Sequence, residues 1–558
     1  MRAAMRRFAV LSRNVAVLGA LTAVGIAGPI AGAHAADGKG AAECTASAKV
    51  CEIARKYFPS DEQQTSPRRI FRLTRDQIDQ TVKYLLPDYH TQSVKDVMAK
   101  DPLQTNYEFA ELLSFNSANL GPLSGWINAI ATRVKAKPAG VINCQTQNNA
   151  EECLRDQSRG FIVKAVRGDL RGEKVEQIVD FYIKAFKASG HAQATADLVE
   201  LVLSSPHFLF RKEQVDVRRG RPIPEQDLQA LTYTLADAPP DKLKLASTNA
   251  LELLQTPIET DNTVQAILAS KESREKLVRF FKAWLEIAGP SEFTISIEAF
   301  PAFTAKLQSA MLEETDRFLR YQLAKKRPTL KDITQSTDGF VSKPLEPLYG
   351  TAAADSAGTK PVKLDPTKRF GIFSQPALIA SHSGPSETRL IKRGVFWVRK
   401  AMCMEMEPPP QGLDISLYET KEGTERQKVE DGTQGKACIG CHKVINPFAF
   451  FQENYGALGD WRQEDNKLPI DASIKIDFLD EPPVTTRTPV EALKVFTSSA
   501  MFKQCFVRQL FRFYMGRNEE PFDDQLLRRM YVAFAENDEQ DILKLVDVLA
   551  ASDRIKRH

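Results

Sequence analysis

The chain has 558 residues, more than one hydrophobic core usually supports, so several domains are expected. Hydrophobic residues make up 43% and charged residues 26%, values that are ordinary for a globular protein and exclude a collagen-like or largely disordered chain. The formal net charge of +4 comes from four arginines within residues 1–35. The remainder is neutral and lacks the basic excess that is typical of nucleic-acid binding.

The first 35 residues predict a secretory signal peptide. Arginines precede an uncharged apolar run over residues 15–26, and Ala33-His34-Ala35 is a small-x-small cleavage site. The run is shorter than the ~20 residues that span a bilayer, and no later stretch is apolar for long enough. We therefore expect a mature chain that begins at Ala36, is periplasmic or secreted from a bacterium, and has no membrane span after cleavage. A retained membrane anchor is the alternative interpretation.

The cysteine content fits export, because disulfides form in oxidising compartments. Of the eight cysteines, two belong to a C-x-x-C-H motif late in the chain, and the other six can pair in several ways. Proximity in sequence favours Cys44 with Cys51 and Cys144 with Cys153. This choice leaves a long-range pair, Cys403 with Cys505.

Helix signals dominate the rest of the chain. A capping-box pattern at Thr74 and Gln77 begins the first predicted helix. Strand-like alternation is scarce, and residues 472–478 are its best example. We therefore expect a mainly α fold. Apolar stripes at helical spacing predict further helices over residues 272–287, 303–323, 499–517 and 537–552.

Three of these helices carry further signals. Gly516 is expected to end the helix over residues 499–517, and the last helix is expected to be capped near Asn537 or Asp538. The helix over residues 303–323 has an acidic group that we interpret as a solvated face. Its apolar stripe consists of Leu307, Met311, Phe318 and Tyr321, and its acidic group of Glu313, Glu314 and Asp316.

Composition shifts divide the chain into regions. Residues 349–368 are polar and rich in small residues, which is typical of a linker, and residues 407–436 form a long, poorly apolar loop before the C-x-x-C-H motif. The predicted regions are a signal peptide (1–35), an N-terminal helical region (36–140), central helical domains (141–350), a linker (351–368), a domain that bears the C-x-x-C-H motif (369–480) and a C-terminal helical domain (485–558).

The motif Cys438-Ile439-Gly440-Cys441-His442 predicts covalent attachment of one haem c. Two thiols at this spacing form thioethers with the porphyrin vinyl groups, and the following imidazole binds the iron from one side. Chance predicts on the order of 0.001 such pentapeptides in a chain of this composition. A simple disulfide or a structural zinc site is the alternative, although zinc would need a second pair of ligands nearby.

The ligand on the other side of the iron is left open. His382 lies in a segment of small residues and is the first candidate, because imidazole is a common iron ligand. Met501 and Met515 are the first methionines after the motif, but methionines usually fill gaps in a core. An open sixth coordination position is a further alternative.

Several long motifs resemble one known family, from about residue 66 to the end of the chain. The family comprises planctomycete-type cytochrome-like proteins that are built from consecutive domains of unknown function with a single C-x-x-C-H. The resemblance implies a cytochrome c-like, haem-bearing domain near the C-terminus, with haem at Cys438, Cys441 and His442 and a family His-Ser at His382. The similar segments are RIFRLTRDQIDQTVKYLL (69–86), LVELVLSSPHFLFRKE (198–213), GIFSQPALIASHSGPSETRLIKRG (371–394), CIGCHKVINPFAFFQENYGALGDWR (438–462) and FKQCFVRQLFRFYMGR (502–517).

The chain departs from this family at two places. The family's tryptophan-containing segment appears here as LQALTYTLADAPPDKL (228–243), and Phe513 stands where the closing motif usually begins with Tyr. The activity of the family is largely unassigned, so the resemblance does not fix a function.

The function that these features favour is electron transfer by a secreted mono-haem c-type cytochrome-like protein, with a redox partner protein. One alternative is a haem-dependent periplasmic oxidoreductase, peroxidase-like or dehydrogenase-like, that acts on a small-molecule substrate and has His382 and Arg389 near the iron. Another alternative is a secreted binding or scaffold protein in which haem is structural. No nucleic-acid partner is expected.

Overall fold

The computed structural model describes residues 44, 46–62, 69–144, 150–170, 172–213, 215–216, 221–247, 249–289, 292–407, 422–477, 481–536 and 540–552. The predicted signal peptide, residues 1–35, lies outside them. Contacts divide the chain into two units, Met1–Cys44 and Thr45–His558, and every described helix and strand belongs to the second. Helices make up 59% of the structure, with 21 helices in its described part, which confirms the mainly α fold.

The N-terminal part is a set of helices closed by a two-stranded antiparallel pair. In this pair β1 and β4 align Arg69 with Glu213 and Arg72 with Phe210, so the strands join segments that are far apart in sequence. The elements are α1 (Ala48–Tyr57), β1 (Arg69–Arg72), α2 (Arg75–Leu85), β2 (Leu103–Gln104), β3 (Tyr107–Glu108), α3 (Ser117–Ala136), α4 (Ala150–Ala165), α5 (Glu173–Leu203), α6 (Pro206–Leu209), β4 (Phe210–Glu213), β5 (Val215–Asp216) and β6 (Arg221–Pro222).

The central part is also helical, with one short strand pair. Strands β7 and β8 pair antiparallel and align Asp338 with Lys363. The elements are α7 (Pro224–Ala236), α8 (Ala250–Leu253), α9 (Pro257–Ala269), α10 (Lys271–Trp284), α11 (Ala305–Leu323), α12 (Leu330–Thr334), β7 (Asp338–Gly339), α13 (Glu346–Tyr349) and β8 (Val362–Lys363).

The C-terminal part carries the C-x-x-C-H motif on α17. A π-helical turn, Trp397–Ala401, continues α15 directly. The elements are α14 (Pro376–Ser381), α15 (Leu390–Phe396), α16 (Glu425–Gly432), α17 (Lys436–Phe450), β9 (Glu464–Asp465), β10 (Leu468–Pro469), β11 (Ile474–Ile476), β12 (Val484–Thr486), α18 (Pro489–Ser498), α19 (Ala500–Met515), α20 (Asp524–Ala535) and α21 (Ile542–Ala550).

Two large hydrophobic cores organise the described elements, beside a small cluster around Leu228. One lies in the N-terminal part and includes Ile130 and Val199, and the other extends from α1 to α21 and includes Trp284 and Trp397. Helix α7 is buried along nearly its whole length, and it contributes Tyr233 to the first core while its neighbours Leu231 and Leu235 belong to the second. It is therefore the element that both cores share.

Most predicted elements are present, with shifted ends. Thr74 caps α2 through the predicted capping box with Gln77. Gly516 ends α19 in the left-handed region, at φ 62°. The strand predicted over residues 472–478 is the shorter β11. The last helix is capped by Asp541, whereas the predicted caps Asn537 and Asp538 lie outside the described residues.

Two sequence interpretations of α11 are wrong. Glu314, predicted on a solvated face, has a fully buried side chain, and Tyr321, predicted on the apolar stripe, is 44% exposed.

The predicted loop over residues 407–436 contains α16, which Thr424 caps, while residues 408–421 lie outside the described part. Residues 351–368, predicted as a linker, include β8 and contact α11 where Arg317 donates to the carbonyl of Gly358.

Candidate functional site

Helix α17 presents the motif residues on one face. Gly435 precedes the helix in an extended conformation, and the motif occupies its first two turns. Cys438 and Cys441 are three positions apart and His442 follows, so the three side chains are neighbours on the helix surface. All three are half-buried, whereas Ile439 between the cysteines is 54% exposed. The motif face is thus partly covered by the rest of the protein, and Cys441 packs against the second core.

The two cysteines of the motif are free thiols, whereas the other six cysteines of the chain are in disulfides. Cys438 and Cys441 are the free cysteines of the described residues. The predicted bridges Cys144–Cys153 and Cys403–Cys505 are present. Cys44 and Cys51 are disulfide-bonded as well, so all six predicted disulfide cysteines are confirmed as such.

His442 is oriented from within its own helix. Its Nδ1 lies 3.0 Å from Oδ1 of Asn446, one turn later. Because a carboxamide oxygen only accepts, Nδ1 carries the proton and the lone pair is left on Nε2. A fixed tautomer of this kind is typical of histidines that bind metals. Sequence reasoning missed Asn446, although its spacing of four from His442 is a readable helical signal.

The same face of α17 packs tightly against α15 in the turns that follow the motif. A Cβ at Gly394 would lie 2.8 Å from both Cγ2 and the carbonyl oxygen of Ile445, so only glycine allows this approach. Further along α17, Phe448 stacks on Trp397 with ring centroids 6.4 Å apart, and its ring lies tilted against that of Phe496 at 4.8 Å. These contacts hold the motif helix rigidly against the second core.

A buried arginine fixes the segment that follows α17. Arg393 is 1% exposed, and its guanidinium donates to the carbonyls of Tyr455 at 2.7 Å and Gly456 at 2.9 Å and to Ser383 Oγ at 2.8 Å. Burial lowers the pKa of Arg393 to about 9. Sequence reasoning missed this residue, because nothing in LIKRGVF distinguishes a buried arginine from an exposed one.

His382, the first candidate for the second axial ligand, is a buried residue with protein partners. Its Nε2 donates to the carbonyl of Leu285 at 3.0 Å, and its ring lies 4.2 Å from that of Phe396. Burial lowers the pKa of His382 to about 4, so the imidazole is neutral at physiological pH. None of these contacts involves Cys438, Cys441 or His442, and its role at iron stays a prediction.

The remaining candidates lie in different surroundings. Met501 is half-buried in the first turn of α19, next to Phe502, which packs against Trp397. Met515 is buried at the opposite end of the same helix, about 20 Å away by helical rise. Arg389 is exposed and pairs with Glu387. The structure does not bring Met501 and Met515 together, and neither is assigned as a ligand.

The residues of α17 fit a covalently bound haem. Two free thiols stand at the required spacing, and the adjacent imidazole has its Nε2 lone pair available because Asn446 holds Nδ1. Among the residues that the structure describes, no group of three or more His, Cys, Asp or Glu side chains is arranged to hold a metal ion.

None of the helices in the described part of the chain combines the length and the apolar character that a membrane span requires.

Two segments of the chain match known protein families. Residues 369–465, which include the C-x-x-C-H motif, match PSCyt3, a protein of unknown function (DUF1588). Residues 228–351 match PSD4, a protein of unknown function (DUF1592). Both matches lie within the part of the chain whose motifs resemble the planctomycete-type cytochrome-like family, and neither description assigns a function. No curated protein and no solved structure matches the chain.

Proposed function

We propose that this protein is an exported c-type cytochrome-like protein that transfers electrons through one haem, bound covalently by Cys438 and Cys441. The observation that carries the proposal is the contrast between these two free thiols and the six disulfide-bonded cysteines. In an oxidising compartment two cysteines at this spacing would form a disulfide unless another group takes them. A haem takes both.

Each motif side chain then has a defined task. Cys438 and Cys441 would hold the porphyrin by thioether bonds, and His442 would offer Nε2 to the iron, since Oδ1 of Asn446 accepts a hydrogen bond from Nδ1–H. When bound, the haem supplies one-electron chemistry, and the protein tunes its potential through the axial ligand and through burial. The close contact at Gly394 and the stacking of Phe448 on Trp397 would keep α17 in place when a haem is bound.

Export to the periplasm or the exterior is part of the proposal. Three disulfides support it, because such bonds persist in oxidising compartments. Expression with and without the first 35 residues, followed by fractionation, tests it. We expect periplasmic or secreted protein only from the full chain.

The test of haem attachment is retention of haem after denaturation. We expect the protein, produced with a haem c maturation system, to keep its haem on a denaturing gel. Cys438→Ser and Cys441→Ser should each remove one thioether and shift the visible band of the reduced pyridine complex, and the double variant should lose the haem. The Cys144→Ser/Cys153→Ser variant is the matched control, because it removes two cysteines elsewhere and should keep the haem. A Cys438–Cys441 disulfide in the wild-type protein, found by mass spectrometry, would overturn the proposal.

A second measurement separates electron transfer from catalysis. Electron transfer requires low-spin iron with two axial ligands in both oxidation states and little reaction with peroxide. High-spin iron that reacts with peroxide or carbon monoxide would instead favour a haem-dependent oxidoreductase. His382→Ala shows whether His382 is the second ligand, since an unchanged spectrum would exclude it.

A further inference from the structure

A cavity of about 270 Å³ lies between the N-terminal part and the second core. Strand β1, the start of α2, the β2–β3 hairpin, the end of α7, one face of α10 and the end of α19 form its walls. Its apolar walls include Tyr107, Phe513 and Met515. The cavity is smaller than the roughly 300–1,000 Å³ of common ligand pockets, so it suits a ligand of a few non-hydrogen atoms.

Three charged groups of the lining have partners of opposite charge. The guanidinium of Arg72 donates to Asp101, that of Arg211 lies 3.0 Å from Glu213, and Asp76 lies 2.8 Å from Lys95. Each of these ion pairs joins one positive and one negative side chain, so the three pairs add no net charge to the cavity.

A cluster of three further charged side chains in the lining is not balanced, because its two cations, Lys276 and Arg279, share the single carboxylate of Asp237. Lys276 Nζ lies 2.7 Å from Oδ1 of Asp237, and Arg279 Nη2 lies 2.5 Å from Oδ2. Asp237 also accepts from Gln77 at 2.8 Å. The side chain of Lys276 is only 8% exposed, while that of Arg279 is 41% exposed. One positive charge is therefore left over, and it is accessible at Arg279.

Glu108 is the lining residue that can cancel this charge. Burial raises the pKa of Glu108 to about 7, with a further increase from neighbouring acids and an opposing effect of Arg75. Below neutral pH the carboxyl is protonated, and the extra positive charge has no counterpart within the described lining. The charged groups that act on Glu108 or on Arg279 are Asp101, Asp76, Arg75 and Asp237. The other charged or titratable groups of the described lining are Arg72, Arg211, Lys276, Tyr107, Tyr233 and Tyr514.

We propose that this cavity binds a small monocarboxylate, whose charge is met by Arg279 beside Lys276, and that the bound anion and an ionised Glu108 exclude each other. The single carboxylate of Asp237 cannot neutralise two cations, so a bound anion would balance the remaining positive charge. The planar guanidinium of Arg279 matches a carboxylate, and the aromatic and apolar walls suit a small organic body rather than an inorganic anion. The inference does not depend on haem.

Isothermal titration of the full-length haem-loaded protein tests the proposal. The probes are acetate, propionate and benzoate, with acetamide, propionamide and benzamide as neutral analogues of the same shape. We expect at least one acid to bind at pH 6 and its amide not to bind. Affinity should fall about tenfold between pH 6 and pH 8, because Glu108 ionises over this range and competes with the ligand.

Variants locate the site. Arg279→Gln should weaken binding at least tenfold, while Arg279→Lys keeps the charge and most of the affinity. Glu108→Gln should bind equally well at pH 6 and pH 8, since its side chain cannot ionise. Lys282→Gln is the control: it lies on the same helix, where Lys282 pairs with Asp316 outside the cavity, and it should leave binding unchanged.

Three results would each overturn the inference. They are binding of none of the three acids, equal binding of an amide, and unchanged affinity in an Arg279→Gln variant that unfolds at the wild-type temperature. None of these results would affect haem retention on a denaturing gel, so failure here and failure of the proposed function are distinguishable.

Discussion

Glu314 is an acidic residue with no access to water. The hydroxyl of Tyr349 donates to its Oε1 at 2.6 Å, while Oε2 has no hydrogen-bond partner within the described structure. Burial raises the pKa of Glu314 to about 7, an effect that Tyr349 and the nearby Arg369 only partly oppose. The folded protein therefore keeps this carboxyl protonated at a pH where the unfolded chain has lost the proton.

Stability should consequently fall as the pH rises from 4.5 to about 7. In this range the folded state binds more protons than the unfolded state at Glu314, so the free energy of unfolding decreases with pH, by roughly 3 kcal/mol in total. Urea titrations across this range measure the slope. Glu314→Gln should remove this contribution, and the neighbouring Glu313→Gln, at an exposed position, should keep it. Equal slopes in wild type and Glu314→Gln would contradict the assignment.

The burial of Glu314 could be predicted from its spacing in the helix, although its acidic character indicates an exposed position. The spacing of Leu307, Met311 and Phe318 predicts a buried stripe, and position 314 falls on that stripe, three residues after Met311 and four before Phe318. The run of neighbouring acids suggested a solvated face instead. Spacing was the better guide, because consecutive residues of a helix point in different directions.

At the scale of elements, the contact between α15 and α17 depends on a missing side chain. Gly394→Ala should destabilise the protein by about 1–3 kcal/mol, because the added methyl group would press on the backbone of Ile445. Urea unfolding measures the loss. The matched control is Gly160→Ala in α4, where nothing lies within 4 Å of the new Cβ. That variant should gain about 0.5–1 kcal/mol from helix propensity.

If both glycine variants were equally stable, the close approach of the two helices would not be a constraint. The haem-bearing form offers a second readout, since displacement of α17 in Gly394→Ala should alter the visible spectrum. Gly160→Ala should leave the spectrum unchanged.

Periodicity and caps predicted the helices well, because both are local. Thr74 and Gln77 form the capping box that their spacing indicates, and Gly516 ends α19. The helix over residues 272–287 ends early at Trp284, since Glu286 adopts a left-handed conformation that the sequence does not signal. The C-x-x-C-H motif was readable for the same reason, as its three side chains share one short segment.

At the scale of the whole molecule, the Cys403–Cys505 bridge connects the end of the π-helical turn to α19 across 102 positions. Cys403→Ser/Cys505→Ser should lower the free energy of unfolding by about 4–5 kcal/mol, because the bridge restricts a long loop in the unfolded chain. The Cys144–Cys153 bridge closes only a short loop, so Cys144→Ser/Cys153→Ser should cost roughly 2–3 kcal/mol. Urea titrations of the two variants compare them, and a larger loss from the short loop would contradict this account.

Contacts between segments that are far apart in the chain could not be predicted from the sequence. The cavity gathers Arg72, Glu108, Asp237 and Arg279 from four separate elements, and no motif links them. Likewise, the pairing of β1 with β4 and the sharing of α7 between two cores depend on how the helices assemble. Proximity in sequence was enough for Cys144–Cys153, whereas Cys403–Cys505 followed only from elimination.

The Cys403–Cys505 bridge also makes the order of haem attachment and disulfide formation matter as the protein matures. Cys403 leaves the ribosome before Cys438 and Cys441, and Cys505 is made last, so Cys403 meets the motif thiols before its partner in the bridge. Four thiols can pair in three ways, and each of these ways uses both motif cysteines, so the motif stays free for haem only when Cys403–Cys505 is the one bridge that forms among them. Haem attachment before oxidation would thus act as a protecting group, and a cell that lacks haem would accumulate chains crosslinked through the wrong cysteines.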